Sequence, residues 1–343
     1  MSKQAQERQS QRHRKGKFAI PVNQATRATF EALFHGSGLS PQWEADEQWR
    51  PQFRQEGSTI TVHFTGRPNI KESAAALWHG VYNFNTESAD VLTFILKEIA
   101  NLKDPYRPVA IWFEDIAKAR GVKARHGSVH VLRADLKDKV EALAGLGVCM
   151  EWKDRGGPHS RRHVFGTPAY PARLFYLTGI EYEEDGHTWK GYVVQAGDVL
   201  AHFLRHGVLR WIGYFTPALL GLDPYREALV KKLGWYWIDR GTVAGMKKKL
   251  ASATPRTILK TIGEKPDSDR PGRFVSRFME AHAKLVAIGL LAEITGLEKP
   301  RGKGMLEKWL DTAITARLNP DLWELNPGKG TGIGRFKFLS GPE

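Results

Sequence analysis

The chain holds a single cysteine, Cys149, in 343 residues. That excludes a disulfide scaffold and any cysteine-built zinc site. Cys149 stands in the apolar run Gly147-Val148-Cys149-Met150 and reads as a small core residue. No apolar run approaches the roughly 18 residues that a membrane-spanning helix needs, and the first residues lack the apolar stretch of a secretory signal. A cytoplasmic, nucleoid-associated location without membrane contact is expected. Neither His-x-His nor His-Glu-x-x-His occurs. The pairs His126/His130, His159/His163 and His202/His206 are four apart but come without a third ligand, so no metal site and no cofactor are expected. Asp135, Asp138 and Glu141 cluster, as do Asp267 and Asp269, yet none has a partner placed for acid–base or two-metal chemistry. The expected protein is therefore not an enzyme. Gly328-Lys-Gly-Thr-Gly-Ile-Gly-Arg lacks the spacing of a phosphate loop and reads as a flexible tail.

Acid is scarce too. Against 37 Asp and Glu stand 51 Lys and Arg, a formal net charge of +14 and a pI of about 9.7. Such an imbalance favours a polyanionic partner, nucleic acid first among them. A hydrophobic fraction of 41% supports ordinary cores, and the length suits two or three domains.

Residues 1–17 carry Lys3, Arg8, Arg12, Arg14, Lys15 and Lys17 against one acid, Glu7, and read as a disordered basic arm that contacts phosphates non-specifically. Residues 18–85 read as an irregular N-terminal extension with one alternating strand at Thr59–Phe64. A first unit, 86–197, opens with a helix over Ser88–Leu102, with Val91, Leu92, Ile95, Leu96 and Ile99 at helical spacing. A strand at Val109–Trp112, a helix at Phe113–Arg120 and a helix at Leu132–Ala144 follow. Val148–Trp152 and His163–Gly166 then flank a basic wing, Lys153–Arg162. Leu174–Glu183 and Thr188–Val194 flank Asp185-Gly186 and form an extra hairpin.

Asp198–Gly213 reads as a connecting helix inside the second unit, 198–304. That unit continues with a helix over Tyr225–Asp239 behind Asp223-Pro224. Pro255–Ile262 is then a short helix, Gly263–Gly272 a polar turn, Arg273–Ile288 an amphipathic helix and Leu290–Ile294 a strand. Leu297–Gly304 is a second basic wing. The tail, 305–343, holds a helix at Met305–Leu318. The fold class is α+β, mostly helical, with tandem winged-helix domains behind the basic arm.

In such units the second long helix enters the major groove, and its first turns meet base edges. The candidate contacts are Arg270, Arg273, Ser276 and Arg277 in the second unit, and Lys123, Arg125, Arg133 and Lys137 in the first. Arg155, Arg161 and Arg162 in the first wing, and Lys299, Arg301 and Lys303 in the second, reach phosphates or the minor groove.

The order of elements over Glu87–Phe165 and Asp223–Ile294 resembles the plasmid replication initiator proteins built from two winged helices. The resemblance covers about half the chain and lies in element order, without a shared residue motif. It implies binding of duplex DNA at repeated origin sites, contact with host replication proteins and a homodimer formed through the first winged-helix domain. A winged-helix transcriptional regulator is the near alternative, since it would use the same residues. A nuclease or strand transferase working through one tyrosine, and a module that uses the same folds for protein contacts, are the competing classes.

Overall fold

The structure, a computed structural model, describes residues 18–22, 24–36, 42–55, 58–67, 71–100, 102, 104, 106–121, 129–153, 162–184, 187–205, 211–215, 217–246, 250–298 and 305–319. The basic arm, the connection 122–127, the wing tips at 154–161 and 299–304, and the glycine-rich tail lie outside them.

In chain order the elements are β1 (Phe18–Val22), α1 (Gln24–Phe34), β2 (Trp43–Ala45), β3 (Pro51–Arg54), β4 (Thr61–Phe64), α2 (Ala74–Tyr82) and α3 (Thr86–Ala100). Then come β5 (Val109–Trp112), α4 (Phe113–Ala119), α5 (Val129–Ala144), β6 (Leu146–Lys153), β7 (Arg162–Phe165) and β8 (Ala172–Arg173). The middle of the chain forms β9 (Phe175–Glu184), β10 (His187–Ala196), α6 (Asp198–Arg205), β11 (Trp211–Phe215), α7 (Pro217–Leu220) and α8 (Ala228–Met246). Last are β12 (Ala251–Ala253), α9 (Pro255–Thr261), α10 (Pro271–Ala287), β13 (Leu291–Thr295), α11 (Met305–Leu310) and β14 (Ile314–Leu318). The fold is α+β, and strands are more numerous than the sequence suggested.

Two groups of elements share one plan. In the C-terminal group α8, β12, α9 and α10 precede β13 and β14, and the sheet order is β12-β14-β13. In the first group α3, β5, α4 and α5 precede β9 and β10, and the sheet order is β5-β10-β9. In both, the last strand lies between the other two, with the helices packed on the sheet.

The sequence placed the strands of the first group differently. The stretch read as strand–wing–strand forms β6 and β7, and these join β2, β3 and β4 in a separate sheet, ordered β2-β3-β4-β6-β7. The hairpin read as an appendage supplies β9 and β10, the strands that pair with β5. Local pattern marks each of these segments as a strand but does not choose its neighbour. Two contacts make the choice. β6 fits β4 because Val62, Phe64, Leu146 and Val148 are all buried along the Thr61↔Cys149 to Phe64↔Leu146 register. β10 fits β5 because Gly191 opposes Trp112, and a Cβ there would lie 2.1 Å from the Ile111 carbonyl oxygen.

Two more expectations are corrected. Asp198–Gly213 is not one helix: Asp198–Arg205 is helical, and Trp211–Phe215 is a strand paired antiparallel with β1. Met305–Leu318 is also not one helix. It breaks after Leu310, and Ile314, Ala316 and Leu318 point inward at period two as the central strand β14. Within residues 18–85, Trp43 is buried, donates its indole N–H to the Ala32 carbonyl, and packs on Phe53 and Phe84.

The groups are joined through α1, α3 and α8. Phe30 of α1 stacks on Trp235 of α8 at 3.8 Å, and Arg27 binds Asp239 at 2.8 Å. Deeper, the Lys231 ammonium on α8 donates to both carboxylate oxygens of Asp90 on α3, at 2.8 and 3.0 Å, and to the carbonyls of Leu219 and Leu220 at 2.9 Å. Both side chains are 1% exposed. Around the pair, Arg120, Lys139 and the Tyr225 hydroxyl converge on Glu87.

A buried ion left without its partner is heavily penalised, whereas an apolar pair of similar volume is tolerated. Lys231→Met alone is therefore expected to lower unfolding free energy by about 3–5 kcal/mol. Lys231→Met combined with Asp90→Leu is expected to recover most of that loss in urea unfolding. A double variant as unstable as the single one would show that the pair acts by some route other than mutual charge compensation.

Candidate nucleic-acid interface

Helix α10 is built to hold one face still and offer the other. Pro271 occupies its first turn, and Asp267 accepts from the backbone N–H of Asp269 and Arg270 at 3.1 and 2.9 Å, which sets the turn leading in. Gly289, at φ +76°, ends it. Phe274, Val275, Phe278, Ala281, His282 and Leu285 are buried. Trp309 of α11 meets Phe274 and Phe278 edge-on at 6.3 and 5.1 Å.

One polar residue lies inside that apolar face. His282 is 0% exposed, and its Nε2 stands 2.9 Å from the Trp237 indole nitrogen on α8. An indole N–H only donates, so Nε2 accepts and Nδ1 carries the proton, which it gives to the Phe278 carbonyl at 2.8 Å. Burial pushes the His282 pKa down to about 4, against a smaller opposing effect of the Phe278 carbonyl. The neutral ring thus ties α10 to α8.

On the opposite arc stand Arg273, Ser276, Arg277, Glu280, Ala283 and Lys284, by the helical period. Arg273 and Arg277, with Arg270 at the helix entrance, are exposed, and their side chains make no hydrogen bond or ion pair among the described residues. Ser276 is half-buried beside them.

Three other cations of this group are engaged. Arg256 on α9 binds Asp311 and Glu307 at 2.7 and 2.8 Å, Arg317 binds Glu293 at 3.1 Å, and Lys284 binds Glu227. The arginines of the first two turns of α10 are thus a group of unpaired cations, with the carboxylates of Asp267 and Asp269 in the turn before them. Lys265, exposed in the turn between α9 and α10, adds to it. It was legible in the same polar turn as Arg270 but was not singled out.

The corresponding helix of the first group, α5, differs. Arg133 turns inward and donates to Glu114 and to the Thr188 carbonyl at 3.0 Å, bracing α4 and β10. It is a structural brace and not a contact held out to a ligand. Lys137 is 57% exposed and sits 4.0 Å from Glu141, and Asp138 beside it is 61% exposed and pairs with Arg67. The α5 surface is therefore of mixed sign. Arg162 lies at the start of β7, in the β2-β3-β4-β6-β7 sheet, opposite Lys153. Lys123, Arg125, Arg155, Arg161, Lys299, Arg301 and Lys303 lie outside the described residues.

The clustered acids are accounted for as well: Asp135 pairs with Lys139, and Glu141 accepts from the Tyr192 hydroxyl. Asp135, Asp138 and Lys139 line a cleft of about 560 Å³ between α2 and α5, together with Arg67, Glu72 and Tyr225.

No family model matches the chain, and no curated protein matches it by sequence. Among solved structures, domains 2 and 3 of RctB are similar with a TM-score of 0.44 at 12% identity, over 84% of this chain and 98% of that one. A second structure of the same domains, RctB 155–483, gives 0.43 at 12% identity, over 82% and 98%. These values describe a coarse likeness in the path of the chain, and the interface rests on its own geometry.

The His282 tie has a pH signature. Between its folded value of about 4 and the ordinary 6.5, the unfolded chain binds the proton and the fold does not. Stability present above pH 6.5 is therefore lost as pH falls, by about 2 kcal/mol between pH 7 and 5 for this one group. His35, also pushed down to about 4 by burial, adds a loss in the same window. His282→Gln keeps an acceptor for Trp237 and does not titrate. Its unfolding free energy should fall less steeply over that range, and a slope equal to that of the unaltered chain would place the proton uptake elsewhere.

Proposed function

We propose that the chain is a sequence-specific binder of duplex DNA and that α10 is its reading element. One observation carries this: an arc of unpaired arginines opposite a fully buried face, on the third helix of a helix-strand-helix-helix-strand-helix-strand unit, in a chain of net charge +14. We read both three-stranded groups as winged helices, α3 to β10 and α8 to β14. A helix of this size enters the major groove, where arginine meets guanine bidentately. Arg270 and Lys265 lie where the phosphate backbone would pass.

The mechanism is positioning alone, and the reading involves no chemistry on the DNA. The first group, with its mixed-sign α5, supports and orients the second, and its basic connection and the N-terminal arm add phosphate contacts. The biological use that fits two such units in one chain is replication initiation at repeated sites. A plasmid bearing clustered copies of the selected sequence, replicating only when the chain is supplied, would support that use; indifference to the chain would remove it.

Arg273→Ala and Arg277→Ala are each expected to cost about 1–3 kcal/mol of specific binding and to leave thermal unfolding unchanged. Titration of a selected duplex by fluorescence anisotropy checks this, and undiminished affinity in both variants would remove α10 as the reader. Binding to unrelated duplex should weaken steeply between low and moderate salt, as counterion release requires.

A further inference from the structure

The outward arc of α10 carries a carboxylate among its cations. Glu280 is exposed, follows Arg277 by one helical turn, and makes no hydrogen bond or ion pair among the described residues. The cation one turn beyond it, Lys284, is held by Glu227, and Arg277 is not within ion-pair distance. A negative charge at this place is unfavourable against phosphate, and equally against the acceptor edges of guanine and thymine. On the major-groove floor it gains only from an exocyclic amino group. Adenine offers one, but beside the N7 acceptor, which repels a carboxylate. Cytosine offers N4–H₂ without that neighbour.

Resting on the reading that α10 lies in the major groove, we infer that Glu280 is a specificity-determining residue that selects a cytosine next to guanines read by Arg273 and Arg277. The same charge lowers affinity for every duplex that lacks the cytosine. At about 1.5 Å per residue, Arg273 and Arg277 lie about 6 Å apart along the helix, with Glu280 about 4.5 Å further on. Base pairs rise by about 3.4 Å. The two arginine positions are thus roughly two steps apart, and the cytosine lies one or two steps beyond. Ala283, exposed on the same arc one residue before Lys284, leaves room for close approach to the groove floor.

Selection from a random duplex pool at about physiological salt, run with the full chain and with Glu280→Gln and Glu280→Ala, tests this. The unaltered chain should enrich a G·C core with one invariant cytosine. Glu280→Gln should change that cytosine to adenine, which glutamine binds bidentately, and leave the guanines unchanged. Glu280→Ala should lose roughly tenfold discrimination at that position and bind unrelated duplex several-fold more tightly. An identical motif with all three proteins, or an A·T-only core, overturns the inference while leaving duplex recognition in place. Absence of any enriched motif, with Arg273→Ala binding unrelated DNA as well as the unaltered chain does, overturns the α10 reading and this inference together.

Discussion

The contact on which the arrangement depends is the ammonium of Lys231 held by Asp90 and two backbone carbonyls. Ions are tolerated in a protein interior only when their hydrogen-bonding capacity is filled. Here the ion comes from α8 and the filling groups from α3 and α7, so the three helices cannot separate without stranding a charge. The Glu87 cluster with Arg120, Lys139 and Tyr225 repeats the device one turn away, again drawing partners from both groups of elements. The consequence is geometric. α8 is the helix on which α10 packs, through Trp237 and His282, so the exposed arc of α10 has a set relation to the first group.

Net charge alone says little about where a polyanion would sit. Several basic side chains are engaged within the fold: Arg27, Arg120, Arg133, Lys139, Lys231, Arg256 and Arg317 each have a carboxylate partner. At the start of α10, Arg270, Arg273 and Arg277 make no such pair among the described residues, and the turn before them carries Asp267 and Asp269. An arginine whose donors are filled contributes little to a ligand, and one without a partner keeps its fork for guanine or phosphate. Arg133 and Arg277 occupy comparable places in the two groups and fall on opposite sides of this division.

Much of the C-terminal group was legible in the chain. The short helix Pro255–Ile262, the helix Arg273–Ile288 and the strand Leu290–Ile294 rest on local signals, and the structure adds only that the second helix begins at Pro271. The apolar period of α10 separated the buried Phe274, Phe278 and Leu285 from the outward Arg273 and Arg277 before any packing was known. The strands β9 and β10 were found as well, through the Asp185-Gly186 turn.

Partner choice was not legible. Whether β6 joins β4 or β5 depends on which faces both become buried, and whether Arg133 points out or in depends on Glu114 and a carbonyl of β10, contributed from other parts of the chain. Lys231 and Asp90 gave no sign of their pairing, since 141 residues separate them and each stands in an ordinary amphipathic helix. The sequence by itself determined the charge and the helices α3, α8, α9 and α10 with its outward arc, because those follow from neighbours within a few residues. The tertiary structure alone decided the strand order, the buried ion pairs and which arginines remain free, because those follow from contacts between segments that the chain brings together only on folding.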